Sequence, residues 1–386
     1  MERLNWKEII KADIIMLKIT GLWPAGDETY GCNLYTLYAI VSTILFQFGH
    51  NLFQTINLFT ILDDLQAITG TIFILMMELS STLKTYYLVK NMKMLKQLML
   101  TINCDLFQPK NFEQRMLIQP TINAWKTFTF TYLTFTAPAL FFWSMYPVFD
   151  RTVKNYRLPF LAWYPYNTKI SPLYELTYIH QALSIVFIAV ATMGIDNLIA
   201  ALNMFIAAQL DILSNDLKNL NRVNNNNNSV DVVNDLKQCV HHHREILKFA
   251  DNANQFYNWL LLVQFFVGGV SIGLSMFQLT LVIPLSTEFY MLLTYGGAVL
   301  VQGFMYCWFG NEIEVKSNVL SYAVFECDWT GLPPEIMKNF IILVLRLQRP
   351  LKIAALNLFY LSLATYVKIL KTSWSYFALL RQVNSP

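Results

Sequence analysis

Charge is what this sequence has least of. Asp, Glu, Lys and Arg supply 14% of its 386 residues and apolar side chains 55%, a balance far from that of a soluble domain and one that points to a chain built for lipid. The basic residues fall between apolar blocks and form no basic face, which excludes nucleic acid as a partner. Cysteine is sparse. Cys32, Cys104, Cys239, Cys307 and Cys327 stand far apart with no CxxC spacing, so no structural disulfide is expected. HExxH, P-loop, GxSxG and glycine-rich dinucleotide motifs are missing, so the chain is not read as an enzyme and no cofactor or metal is expected. Nor do the first thirty residues, with Lys7, Lys11, Asp13 and Lys18 among apolar positions, read as a removable signal peptide.

What is present is a series of long apolar runs. Crossing ~30 Å of hydrocarbon takes roughly 20 such residues, and the segments that qualify are about 34–57, 67–89, 124–147, 175–206, 257–283, 289–310 and 353–380. The predicted fold is therefore an all-α, single seven-helix membrane domain. The fourth run is too long for a bilayer, so its helix is expected to continue into water near Gln209 and Asp211. Residues 207–256 and 311–352 are read as extensions on the cytosolic side. Nineteen Lys and Arg fall in the N-terminal segment and loops two, four and six, against five in the other loops and the tail, which puts the N-terminus in the cytosol. Seven spans then place the C-terminus outside, opposite to the orientation of G-protein-coupled receptors.

The loops carry further signals. Loop three (148–174) combines Pro159, Pro165 and Pro172 with Phe160, Trp163, Tyr164 and Tyr166, which predicts an ordered aromatic lid or, equally, an anchor among lipid headgroups. The run Asn224–Asn228 reads as a solvated linker, and its Asn227 sequon falls on the cytosolic side. Loop six holds an apolar run from Met337 to Leu347 that is too short to span. It is read as a helix buried either against another subunit, through Phe340, Leu343, Val344 and Leu347, or against its own chain.

Few residues suggest chemistry. Cys239 and His243 share a helix face, but two ligands do not make a metal site. Glu78 and Asp196 lie inside predicted spans, where an ionisable group is either functional or paired between helices. Lys368 and Lys371 lie in the seventh. Thr134, Ala137 and Phe141 in the third run, and His180, Ser184, Phe187 and Ile188 in the fourth, form stripes that fit either ordinary packing or the wall of an apolar pocket.

Several strings together resemble the insect odorant receptors. They are Leu158-Pro159-Phe160, Trp163-Tyr164-Pro165-Tyr166 and Ser171-Pro172-Leu173-Tyr174-Glu175-Leu176; then His242-His243 with Ile246-Leu247, Tyr306-Cys307 with Gly310-Asn311, Trp329, Gln348 and Pro350; and the terminal run from Lys371 to Leu380. The resemblance implies an odorant-gated, non-selective cation channel in the plasma membrane of olfactory sensory neurons, a tetramer formed with an odorant receptor coreceptor. A shorter fourth loop and a different C-terminus make this chain similar to a ligand-tuned subunit rather than to the coreceptor. Gustatory receptors remain a close alternative, and a G-protein-coupled chemoreceptor a more distant one.

Carried onto this chain, the resemblance implies a gate at Leu379 and Val383 with Gln382 beside them, and Lys368 facing the inner vestibule. It implies a pocket for a small volatile between spans two, three, four and six, built from Ile72, Phe73, Met76, Thr134, Ala137, Phe141, His180, Ser184, Phe187, Ile188 and Tyr290. It also implies subunit contacts through loop six.

Overall fold

The computed structural model describes residues 3–24, 30–61, 63, 65–220, 229–327, 332–356 and 358–384. The Asn224–Asn228 run with Asn227, and Trp329, lie outside the described residues. Two short helices open the chain, α1 (Trp6–Ile9) and α2 (Lys11–Ile19). The first apolar run is helical from α3 (Leu34–Ser42) through a π-helical stretch (Thr43–Phe48) into α4 (Gly49–Leu58). Then follow α5 (Leu65–Lys90), α6 (Met92–Ile102), α7 (Phe112–Phe149), α8 (Leu173–Lys218), α9 (Ser229–Leu281), α10 (Thr287–Phe325), α11 (Pro334–Leu347) and α12 (Leu363–Asn384). Helix starts are marked by side-chain caps: Asn33, Asn111 and Ser286 each accept from the backbone N–H three residues on.

Among the described residues, four helices are long and apolar enough to cross a membrane: Ala67–Lys90, Leu173–Lys218, Val232–Leu281 and Thr287–Phe325. The other runs are diluted by polar side chains that the fold uses internally. Gln47, His50, Asn51 and Gln54 are buried against α5, where Gln47 donates to Ser81 and Thr85, and Asn51 to Thr82 and the Glu78 carbonyl.

α8 is the central post. Every residue from Met193 to Leu210 is buried, and the helix is apolar nearly all round because α2, α5, α7, α9 and α10 surround it. Beyond the predicted spans, α8, α9 and α10 run on without a break and pack with α1, α6 and α11 into one continuous core. Trp6, wholly buried, meets Phe205 edge-on at 5.2 Å between ring centres. α2 lies against α8 at Gly194, where an added Cβ would come within 2.9 Å of Leu17.

One expectation needs correction and one open choice is settled. The run read as span 353–380 is divided. Ala354–Ala355 (β1) and Phe359–Tyr360 (β2) form a small antiparallel hairpin, and α12 begins only at Leu363. Ile353, Ala354, Ala355 and Leu361 are apolar because they are buried against the helices. The open choice concerns α11. Of the two readings open for Phe340, Leu343, Val344 and Leu347, a subunit contact and burial against the chain itself, the fold shows the second: they turn inward into the chain's own core, whereas Ile341, Ile342 and Leu345 are more than half exposed.

Candidate ligand site

The polar side chains inside the bundle are the ones lipid cannot solvate, and they converge on Asp196. Lys84 reaches its Oδ1 at 2.6 Å and the Tyr306 hydroxyl donates to the same atom at 2.6 Å. Tyr132 donates to Oδ2 at 3.3 Å and Gln302 donates there too. One carboxylate thus ties α8 to α5, α7 and α10. Ion pairing between helices, one of the two readings open for Asp196, is what the geometry shows, and its charge is compensated on every side.

Directly against this knot lies a cavity of about 110 Å³ between α5, α7, α8 and α10. Its walls are apolar: Ile74 and Met77 from α5, Ala139 and Trp143 from α7, Ile188 from α8, Val299 from α10. A hydrocarbon-lined hole of ~150 Å³ holds one benzene, so this volume suits a small organic molecule. The polar groups that touch it are Glu78, Tyr132, Thr136, Thr192, Tyr295 and Gln302.

The segment 150–172 lies against Trp143 on the side of a second chamber. Phe160 is buried and stacks on Trp143 with ring planes 1° apart and centres 5.7 Å apart. Gln181 holds it, accepting from the Phe160 N–H and donating to its carbonyl and to Tyr164. Tyr164 packs on Phe53 at 4.7 Å, and the Trp163 N–H donates to the Phe53 carbonyl. That second chamber, of about 300 Å³, is bordered by Arg157, Phe160 and Met291 and shares Ile74 and Trp143 with the first. Trp143 and Ile74 are therefore the partition between the two chambers.

The residues named from the sequence distribute unevenly around this site. Ile188 lines the cavity. Phe73 stands one layer behind, its ring 6.2 Å from Trp143 and 5.2 Å from Tyr295. Tyr290 stacks on Phe142 at 6.0 Å, outside the wall. His180 donates to the Leu45 carbonyl at 3.1 Å and, with Phe187, packs on Phe46, facing the first helical run instead of the cavity. Ser184 is buried but not on the wall, and Ile72 and Met76 are half-buried and likewise not part of it. Thr134, Ala137 and Phe141 are exposed on the far side of α7. The wall is made instead by Tyr132, Thr136, Ala139 and Trp143, which sequence reasoning missed. Residue 134 is two steps, about 200°, round the helix from Tyr132 and from Thr136. The signal that marks the inner face is Tyr132, whose hydroxyl needs a buried partner.

α12 docks on α9 through small residues. Ser373 donates to the Gly269 carbonyl at 2.8 Å, and Gly273 lets the Ser373 carbonyl approach to 2.9 Å from where a Cβ would stand. This leaves Lys368, Leu379, Gln382 and Val383 on the exposed face of the single chain. The far, helical extension carries the histidine run. His242, buried, donates to Gln209 at 3.0 Å, and burial pushes it down to about 3 and the Cys239 thiol up to about 12.

Residues 35–374 match the model of the 7tm odorant receptor family. The chain is 22% identical to odorant receptor 46a, isoform A, of Drosophila melanogaster over 97% of its own length and 98% of that protein's. It is 23% identical to odorant receptor Or1 of Anopheles gambiae over 96% and 94% of the two chains. Its fold matches that of the olfactory receptor OR5 of Machilis hrabei, solved in complex with eugenol, with a TM-score of 0.84, 20% identity and 98% of both chains covered.

Proposed function

This chain belongs to the odorant receptor family, and from that membership we propose that it is a ligand-tuned subunit of an odorant-gated cation channel, working with an odorant receptor coreceptor in the plasma membrane of olfactory sensory neurons. The observation that carries the reading is the apolar cavity between α5, α7, α8 and α10, whose wall residue Trp143 stacks on Phe160 and whose wall residues Tyr132 and Gln302 belong to the Asp196 knot. A relative of the same fold, solved with eugenol, supports a small organic ligand for it. In this reading the chain spans the bilayer seven times, with the N-terminus in the cytosol and the lid outside. Four chains, this one and the coreceptor, surround a pore.

Recognition is then mainly by shape, because the walls present few polar atoms. A methylene more or less should change affinity only about 10- to 200-fold. Occupancy opens the pore only if the open state grips the ligand better than the closed one. Trp143 is placed to report that difference, since it touches both the cavity and the stacked lid ring. The pore is assigned to α12, whose exposed Leu379 and Val383 lie four residues apart on one face and would close it as a dewetted apolar ring. Gln382 sits beside that ring.

The test is whole-cell current in cells expressing this chain with and without the coreceptor while volatiles are applied. A fast cation current that requires both subunits is expected. Slow responses that need no coreceptor and vanish when G-protein signalling is blocked would overturn the channel reading.

A further inference from the structure

The oxygen-bearing side chains around the cavity are, with one exception, already engaged, and the other polar group in the wall, the Trp143 indole N–H, can only donate. Tyr132 and the Gln302 amide nitrogen donate to Asp196, the Gln302 carbonyl oxygen accepts from Gln264, Thr136 donates to the Tyr132 carbonyl, and Thr192 lies 2.6 Å from the Ser81 hydroxyl. The Tyr295 hydroxyl lies 2.7 Å from that of Ser271. The exception is Glu78. It is 3% exposed, it lines the cavity, and its Oε2 accepts from Gln54 at 2.8 Å, while Oε1 has no hydrogen bond among the described residues.

The nearest candidate partner, the imidazole of His50, does not fill that place. Its Nε2 lies 3.6 Å from Oε1, too far for a hydrogen bond, and 2.7 Å from the Gln54 amide nitrogen. That nitrogen has two hydrogens. One goes to Glu78 Oε2, so the other points at His50 Nε2, which must accept it. A buried carboxylate oxygen with no donor is costly, and the site leaves that donor to be supplied from the cavity.

The geometry points to a ligand that carries a polar hydrogen, an alcohol, phenol or primary amine, whose O–H or N–H donates to Glu78 Oε1 while its hydrocarbon part fills the space between Met77, Ile188 and Trp143. This rests on the ligand reading of the cavity and adds the chemical class. It makes Glu78 the acceptor in the wall that selects a ligand carrying a polar hydrogen. The aliphatic part of the wall measures volume.

The experiment is a thermal-stabilisation titration of the purified chain with its coreceptor, using a six-carbon alcohol, the matching primary amine, the matching ketone and the parent alkane. Wild type should bind the alcohol and amine about tenfold or more tightly than the ketone and alkane. In Glu78→Leu that preference should vanish while alkane binding persists, and Glu78→Gln, which keeps an acceptor and nearly the same shape, should retain part of the alcohol preference and lose that for the amine. Persistent alkane binding also shows that each variant is folded. A flat order in wild type, or an unchanged order in Glu78→Leu, overturns the inference and leaves the cavity reading standing. No stabilisation by any member overturns both.

Discussion

At the scale of single residues, the molecule depends on burying charge only where it is answered. Lys84 and Asp196 are both essentially inaccessible, and Asp196 accepts from Tyr132, Gln302 and Tyr306 as well. Lys84→Met leaves a carboxylate with neutral donors alone, a change that typically costs about 3–5 kcal/mol. Folded, monodisperse protein recovered after solubilisation should fall sharply in that variant and largely return in Lys84→Met/Asp196→Asn, where neither charge is left unanswered. His242 gives a second prediction, in the helical extension beyond the predicted spans. Burial first, then Lys110 and the adjoining histidines, hold it down at about 3, against 6.5 for an ordinary imidazole. A base whose folded pKa is depressed contributes stability that is complete above the unfolded value and is lost as pH falls below it. Between pH 6.5 and pH 5 that loss is about 2 kcal/mol for this group. The melting temperature should therefore drop on acidification from pH 7 to 5, and His242→Gln should flatten part of the slope, the remainder belonging to His243, held at about 4 by its own burial. Both clusters were visible in the sequence as polar residues inside apolar or helical runs. Their partners were not, because Lys84 meets Asp196 across 112 positions of chain.

At the scale of elements, existence was legible and orientation was not. Capping side chains and apolar length mark the helices, and the continuation of α8 past Gln209 followed from its length alone. The inward face of α7 did not follow, because in a membrane protein the outward face is as apolar as the core, so hydrophobic periodicity loses its contrast. Phe130 and Phe141 are exposed on the same helix on which Trp125 and Trp143 are buried. α11 shows the converse. With polar ends and one apolar face turned into the core, it was readable as a helix, but the residues offered for a partner were the ones its own chain uses. Leu343→Asp should therefore prevent folding of the isolated chain. Ile342→Asp, on the exposed face, should leave the chain folded and reduce co-purification with the coreceptor several-fold, measured by pull-down from the same membranes. Unchanged co-purification would remove α11 from the interface. Close approaches offer an internal control for packing. A Cβ at Gly310 would stand 2.3 Å from Leu361, in the segment that sets the start of α12, whereas at Gly296 its nearest neighbour is 3.7 Å away. Gly310→Ala should lower the melting temperature clearly and Gly296→Ala hardly at all.

At the scale of the whole molecule, the single chain leaves one helix face without an explanation of its own. α12 is tied to α9 through Ser373, and the buried Phe377 lies on the same side, yet Trp374, Leu379 and Val383 are exposed together with Lys368 and Lys371. In the proposed tetramer that face lies toward the pore axis. Lys368 precedes Leu379 by eleven residues, which returns it to within about 20° of the same face and ~16 Å further in. A lysine there acts on permeating ions by charge alone. At ~10 Å in water a unit charge meets about 0.4 kcal/mol of repulsion, and a divalent ion meets twice that. Removing the charge should then raise calcium permeability relative to sodium about twofold per lysine lost, with little change in the odorant concentration that opens the channel, since the cavity is untouched. Lys368→Gln channels, measured by reversal potential in mixed calcium and sodium solutions, test this directly. Val383→Ala in the same series should raise current in the absence of ligand by weakening the apolar ring. If both variants conduct like wild type, α12 does not line the pore and its exposed face must be assigned to contacts between subunits.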